Sequence, residues 1–343
     1  MRFFTLIILC FLSSNIFGQL KPEFFPEDIT VENYEGVCYC EPGVVNKSRS
    51  KGLVISYGLF DSGNYLPETS NSTSFTPSNL DAFNQFEFKI KVPIILKERT
   101  KFLIGYSYYI ETYNFENVTE SFSETINTLD NNTLKSNGIS ALVSHSLSEK
   151  NYLILRYKYS LNGNYNGFVE IDNRYAIHNF MGLYGFKKSD QFEWGVGFLF
   201  STSFRRTSGL PFLLYNRTFN DRWGIESIFP ANFFLRYNLS PLTITALGLE
   251  YNSKSFRLDV EDSAGDLLDF AYNHAEILLS LSIERHISSW IWANAKFGYQ
   301  RNFDSEFDTQ NDLTTDFQAD LQSGLFFQIG LFVSPSTDRH NNN

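Results

Sequence analysis

Histidine and serine are the residues of this sequence whose pairing could support nucleophilic catalysis. The chain of 343 residues has five histidines, and His145 stands between Ser144 and Ser146. A serine nucleophile needs a histidine base within hydrogen-bond reach and a third group that orients the base. Neighbouring residues of a β-strand point to opposite faces, so His145 cannot readily serve either serine. Because GxSxG, HExxH and Walker motifs are also absent from the sequence, we expect a protein that is not an enzyme.

Charged side chains recur at every second position of several segments. In the stretch from Ala82 to Leu96, Glu87, Lys89 and Lys91 alternate with aromatic and aliphatic residues. Charges with this period cannot face lipid, where a Lys or Arg costs about 2–4 kcal/mol near the bilayer midplane, so they must face a wet interior. The candidate lumen-facing residues are Glu87, Lys89, Lys91, Glu111, Arg156, Lys158, Glu193, His274 and Glu276.

Among these residues, His274 and Glu276 form the pair with the most chemical potential. Two positions apart, they share one face of a strand. An inward histidine beside a carboxylate can titrate near neutral pH or ligate a metal. More often such a pair only lines a polar interior, and we therefore predict no metal and no cofactor.

A long predicted strand at the C-terminal end indicates the fold that positions these residues. The stretch Phe317–Val333 alternates an almost wholly apolar set of residues with a set of polar residues and glycines. A period of two sustained over such a length predicts a strand and excludes a helix. A terminal strand with one apolar face is typical of the closure of a transmembrane β-barrel.

The rest of the chain predicts export and a barrel. An apolar run of about ten residues behind Arg2 is too short to span a bilayer and is typical of a signal peptide. Aromatic residues make up 17% of the chain, with 35 Phe and 19 Tyr, and such residues favour strands. We predict a signal peptide at residues 1–18, a short N-terminal extension at 19–50, an outer-membrane barrel at 51–333 and a polar tail at 334–343.

The number of strands depends on two segments. Alternation runs unbroken through Pro230, so we expect Arg222–Asn238 to be one strand. Polar residues near Ser253 separate Leu242–Tyr251 from Ser255–Glu261, which we expect to be two strands. The prediction is thus an all-β, closed antiparallel transmembrane barrel of about fourteen strands, an even number as single-chain bacterial barrels have. Merging the pair around Ser253 gives the alternative of about twelve.

One run resembles a known group of proteins. LPFLLYNRTFNDRWGIESIFPANFFLRYNLSP, from Leu210 to Pro241, combines a proline near a strand start, a Trp-Gly after a short turn and a later proline. In these features the chain resembles an uncharacterised family of Bacteroidota outer-membrane barrels. The resemblance implies the barrel fold and the outer membrane, and it assigns no activity to any residue.

The sequence restricts the possible functions less than it restricts the fold. The formal net charge of −10 disfavours nucleic-acid binding, which needs Lys and Arg at phosphates. We expect outer-membrane lipid, lipopolysaccharide and the barrel-assembly machinery as partners. The inward charges and Gly195, Gly197, Gly324 and Gly330 favour a small-solute pore or transporter. Inward Tyr109, Phe326 and Phe332 favour the alternative, a closed structural or binding barrel.

Cys38 and Cys40 are expected to pair with each other or to remain thiols.

Overall fold

The computed structural model describes residue 40 and residues 42–61, 63–68, 78–117, 123–204, 206–261, 265, 267–309, 317–321 and 323–334. The predicted signal peptide, Cys38 and most of the predicted tail lie outside these residues. The described residues form one antiparallel sheet with a helix, α1 (Ser123–Asn131), and a short 3-10 helix (Asn173–Tyr175). The strands are β1 (Leu53–Phe60), β2 (Gly63–Glu68), β3 (Ser78–Leu96), β4 (Thr100–Asn117), β5 (Leu134–Ser146), β6 (Asn151–Gly163), β7 (Ala176–Ser189), β8 (Phe192–Ser203), β9 (Arg206–Thr218), β10 (Trp223–Phe229), β11 (Asn232–Ser240), β12 (Thr243–Glu261), β13 (Leu267–Ser288), β14 (Ile291–Thr309), β15 (Phe317–Leu321) and β16 (Gly324–Val333).

The sheet closes into a barrel because its first and last strands pair. Leu53 of β1 lies opposite Val333 of β16 and also opposite Ile90 of β3. Beyond a short break, β2 continues β1 beside β3, and β15 precedes β16 beside β14. The 16 strand segments therefore form fourteen strands around the barrel wall, which we call staves. The first stave is β1–β2 and the last is β15–β16. The predicted closed antiparallel fourteen-stranded barrel is confirmed, although Phe317–Val333 is interrupted and is not one continuous strand.

Two of the predicted strand assignments are wrong. One error lowers the predicted number of strands by one and the other raises it by one, so the total is unchanged. Residues 222–238 form the hairpin β10–β11, which turns at the cis peptide bond between Phe229 and Pro230. The segment around Ser253 is no turn but the middle of β12, which pairs with β13 throughout its 19 residues. Helix α1, which lies between β4 and β5, was not predicted from the sequence.

The outer surface of the barrel is apolar. Leucine, isoleucine, valine and phenylalanine side chains stand exposed on the outward face of the staves, as Leu247, Leu281 and Phe297 do. Trp194, Trp223 and Trp290 are exposed close to the short turns, where an aromatic girdle meets the bilayer interface in such barrels. This surface is suited to the hydrocarbon core of a membrane. Among the residues that the structure describes, no helix is long and apolar enough to cross a membrane.

At the loop end, the long strands lean over the interior. Arg257 of β12 pairs in parallel fashion with Gly163 of β6, a strand that is distant from it around the barrel. Helix α1 packs on β4 and β12, and its buried Ile126 and Leu129 join a cluster of apolar side chains. We call this set the loop-end cluster: Leu80, Phe83, Tyr109, Tyr113, Ile126, Leu129, Leu134, Phe256, Leu258, Val260, Phe270, Tyr272 and Phe307. The loop half of the lumen is therefore filled by packed side chains.

At the turn end, the residues before β1 cross the mouth of the barrel. We call Cys40 and residues 42–52 the N-terminal strap. Its backbone meets successive turns: the N–H of Cys40 donates to the Ser148 carbonyl at 3.3 Å, and the N–H of Val45 donates to the Asp190 carbonyl at 2.8 Å. The N–H of Gly52 then donates to the Val333 carbonyl at 2.9 Å. The strap thus follows the inner rim from β5 to the start of β1.

Candidate functional site in the barrel lumen

A group of deeply buried charges lies beneath the loop-end cluster. The side chain of Glu111 has no solvent exposure, and its Oε1 lies 2.5 Å from the Lys254 ammonium and 3.4 Å from His274 Nε2. The hydroxyl of Tyr109 donates to Oε1 at 2.5 Å, and that of Tyr113 donates to Oε2 at 3.0 Å. The carboxylate is thereby held by one cation, an imidazole and two phenols, which offsets its removal from water.

A smaller group of charges lies nearer the turn end of the lumen, next to open space. Lys296 Nζ lies 2.8 Å from Glu250 Oε1, and Lys89 Nζ lies 2.6 Å from Glu87 Oε1. These side chains are partly exposed, and Glu87, Glu250 and Lys296 line an internal cavity of about 130 Å³. The same cavity is lined by the apolar side chains of Ile228 and Phe332. The middle of the lumen is therefore an amphipathic chamber.

Two wall carboxylates hold the N-terminal strap from inside the barrel. The backbone N–H of Gly43 donates to Glu193 Oε2 at 2.7 Å, and that of Ser48 donates to Glu226 Oε1 at 3.0 Å. Glu226 also forms an ion pair with the fully buried Arg236, whose Nε lies 2.8 Å from Glu226 Oε1. Peptide N–H groups donate well to an ionised carboxylate, so these glutamates dock the strap without a matching strap side chain.

The wall behind the strap is apolar. A cluster on β6–β10 and the turn after β10 also contains Cys40 of the strap; its other members are Tyr152, Ile154, Met181, Leu183, Leu199, Phe212, Leu214, Ile228 and Ala231. Gly195 and Gly197, expected to leave room, do not: a Cβ at Gly197 would overlap the ring of Phe212, and a Cβ at Gly195 would lie 2.9 Å from Leu183 Cδ1. The argument from these two glycines for an open lumen is therefore wrong, since neighbouring side chains fill the space.

The nine candidate residues follow the alternation that predicted them. Glu111, Glu193 and Glu276 are almost wholly buried, as are Lys158 and His274. Glu87, Lys89, Lys91 and Arg156 are partly buried, on the strand faces that also carry buried side chains. Glu276 accepts from Asn252 Nδ2 at 3.2 Å and does not join the Glu111 group in any described contact.

The partners of these residues were mostly missed. Lys254 had been assigned to a turn, and Glu226, Arg236, Glu250 and Lys296 were not singled out. All five occupy inward positions of the alternation. The correct extent of β12 would have found Lys254, and the alternation within the predicted strands already marked the other four as inward. His145 contacts Thr100 Oγ1 at 2.8 Å, while Ser146 on the opposite face donates to the Cys40 carbonyl. Among the described residues, no three His, Cys, Asp or Glu side chains are arranged to hold a metal.

Fold and lumen together define a closed fourteen-stranded β-barrel of the membrane type, filled by its own side chains and by an N-terminal strap. Residues 60–334 match a family described as a domain of unknown function, DUF6268, and the chain belongs to that family. No curated protein matches the sequence.

Solved structures resemble the barrel only distantly. A Pseudomonas aeruginosa FadL homologue is 9% identical, with 82% of this chain and 89% of that chain covered and a TM-score of 0.43. An outer-membrane channel from Pseudomonas putida F1 is 10% identical, with coverages of 88% and 100% and a TM-score of 0.39. The Pseudomonas putida toluene transporter TodX is 10% identical, with coverages of 84% and 91% and a TM-score of 0.32. These similarities concern the barrel shape, and we assign no function from them.

Proposed function

We propose that the protein is a channel of the bacterial outer membrane that passes small solutes and whose turn-end mouth is closed by its own N-terminal strap. The apolar exterior of the barrel and the export-type N-terminus of the sequence support this location. The observation that carries the channel function is the strap itself. It occupies the turn-end mouth but is not one of the strands that form the barrel wall. A barrel with only a structural role needs no such separate closure.

The strap can leave without dismantling the barrel. The ladder pairings of all fourteen staves are made by β1–β16 and do not include it. Its attachments are separate: Glu193 and Glu226 hold its backbone, Thr218 Oγ1 donates to the Val45 carbonyl at 2.6 Å, and Lys51 lies 3.1 Å from Glu284. A neutral hydrogen bond contributes about 0.5–1.5 kcal/mol net, and one to a charged group contributes about 1.5–3 kcal/mol. Withdrawal would join the amphipathic chamber to the turn-side solution.

A reversible cross-link can test whether the strap is a gate. Ser146 Oγ lies 2.6 Å from the Cys40 carbonyl, so Ser146→Cys places a second thiol beside Cys40. The experiment uses a Cys38→Ser background to prevent competing pairing. In planar bilayers, oxidation should reduce the conductance of the Ser146→Cys protein at least tenfold, and a reductant should restore it. The matched control, Cys38→Ser alone, should not respond to oxidation.

Removal of the strap tests the channel function itself. Protein lacking residues 40–50, shown by circular dichroism to be folded, should conduct at least as well as the full chain. Absence of conductance in both proteins, over a range of voltages and salt concentrations, would refute the channel.

One observation favours the second candidate, a closed structural or binding barrel. The loop-end cluster and the Glu111–Lys254 pair close the loop half without any help from the strap. If this closure is permanent, the strapless protein will be folded and electrically silent. The conductance of the strapless protein therefore separates the two candidates.

A further inference from the structure

An apolar groove runs along β14 on the outer surface of the barrel, in the half nearer the turns. Its floor is formed by Ala293 and Ala295, and its sides include Ile283 of β13 and Ile329 and Leu331 of β16. The groove has a volume of about 590 Å³. This volume lies within the range of about 300–1,000 Å³ typical of small-molecule sites. The two alanines, set between branched side chains, create the depression.

A charged side chain borders this groove on a surface that otherwise faces hydrocarbon. Arg285 lies opposite Ala293 in the ladder, is exposed, and also lines the groove. Its Nη1 donates to Thr243 Oγ1 at 3.0 Å, and among the described residues it forms no salt bridge. Lipid-facing arginine is unfavourable away from the interface. A planar guanidinium with unused donors is well matched to a phosphate oxygen pair.

We propose that this groove binds one glycerophospholipid of the turn-side leaflet, with an acyl chain over Ala293 and Ala295 and the lipid phosphate on Arg285. Three residues separate Arg285 from the turn at Ser289, where Trp290 is 58% exposed. The guanidinium is therefore close enough to the interface to meet a headgroup, while the groove extends into the hydrocarbon. The proposal stands independently of the channel function.

A second copy of the chain is the competing occupant. A two-fold symmetric interface brings the same patch of both subunits together. It would place two Arg285 side chains near each other or against apolar residues, with no carboxylate among the residues that line the groove. Charge complementarity therefore favours a phospholipid over a second copy.

Lipid retention can be measured by native mass spectrometry of full-length protein folded into bilayers of phosphatidylglycerol and phosphatidylethanolamine and released in mild detergent. The wild type should retain one phospholipid. Arg285→Gln should reduce its occupancy at least fivefold, and so should the groove-filling Ala293→Leu/Ala295→Leu variant. Two matched controls, Arg217→Gln and Gly182→Leu, should retain lipid like the wild type.

The controls share exposure and chemistry with the tested residues but lie away from the groove. Arg217 is an outward arginine near a turn that stacks on the rings of Phe192 and Phe219. A Cβ at Gly182 would meet its nearest atom, Leu155 Cδ2, at 3.6 Å, so a side chain can be added there without a close contact at Cβ. No retained phospholipid, equal loss in the Arg217 variant, or a dimer in place of a lipid adduct would overturn the proposal. A lipopolysaccharide adduct, from bilayers that also contain lipopolysaccharide, would overturn the assignment to the turn-side leaflet.

Discussion

Replacing Glu111 by Gln should be among the most destabilising single changes in the lumen. The substitution preserves shape and removes the charge that Lys254 faces at 2.5 Å. Removing one partner of a buried ion pair typically costs about 3–5 kcal/mol, because the other charge is left without compensation. Lys254 also donates to the hydroxyl of Tyr109, which moderates the loss. We therefore expect a cost of about 3 kcal/mol.

The pair formed by Glu250 and Lys296 provides the matched control. It has the same charges and a similar separation, 2.8 Å, but its lysine and glutamate side chains are 16% and 12% exposed and border the internal cavity. Hydration lowers the contribution of an ion pair towards the range of about 0–1 kcal/mol found at surfaces. Glu250→Gln should therefore cost about 1 kcal/mol, roughly a third of the Glu111 effect.

Urea unfolding of bilayer-reconstituted protein, followed by tryptophan fluorescence and circular dichroism, measures these costs. A cycle with Lys254→Met completes the comparison. The double variant Glu111→Gln/Lys254→Met should lose less stability than the sum of the two single variants, because neither charge is left alone. Additive single effects, or a Glu250→Gln cost as large as that of Glu111→Gln, would refute the reasoning from burial.

Two further predictions concern the walls of the lumen. Gly197→Ala should destabilise the protein by about 1–3 kcal/mol through overpacking against Phe212, whereas the outward Gly182→Ala should be nearly neutral; urea midpoints compare them. A destabilising Gly182→Ala would contradict this. Lys89→Glu should cost about 1 kcal/mol, because it places a like charge beside Glu87. The swap Glu87→Lys/Lys89→Glu should recover most of that loss, and failure to recover would show that the pair does not act through its charges.

Alternation of side chains predicts faces well and boundaries poorly. Residues that pair across a hairpin share a face, and Ile228 pairs with Asn232, four positions later. Inward positions therefore keep the same parity through the turn, and the pattern cannot reveal that Phe229 and Pro230 reverse the chain. In β12 the reverse error arose: Asn252 and Lys254 have turn-like polarity, but they are inward residues of one long strand that pair with Glu276 and His274.

The filling of the lumen could not be predicted because it depends on contacts between distant residues. Glu111 and Lys254 are 143 positions apart, and nothing in a single sequence selects that pairing. In the structure Glu111 is held by Lys254, and Lys89 contacts Glu87. Alternation assigns side chains to a strand face, but it does not indicate how the side chains of one face combine.

The two closures of the lumen differ in physical strength. The strap is held by separate hydrogen bonds and an ion pair, each worth from about 0.5 to about 3 kcal/mol. The loop-end cluster buries thirteen apolar side chains, and each full burial contributes about 1.5–3 kcal/mol. Opening the cluster as a unit would therefore compete with the stability of the whole barrel. Any gating motion should begin at the strap, and conductance without the strap then measures how tightly the loop half seals by itself.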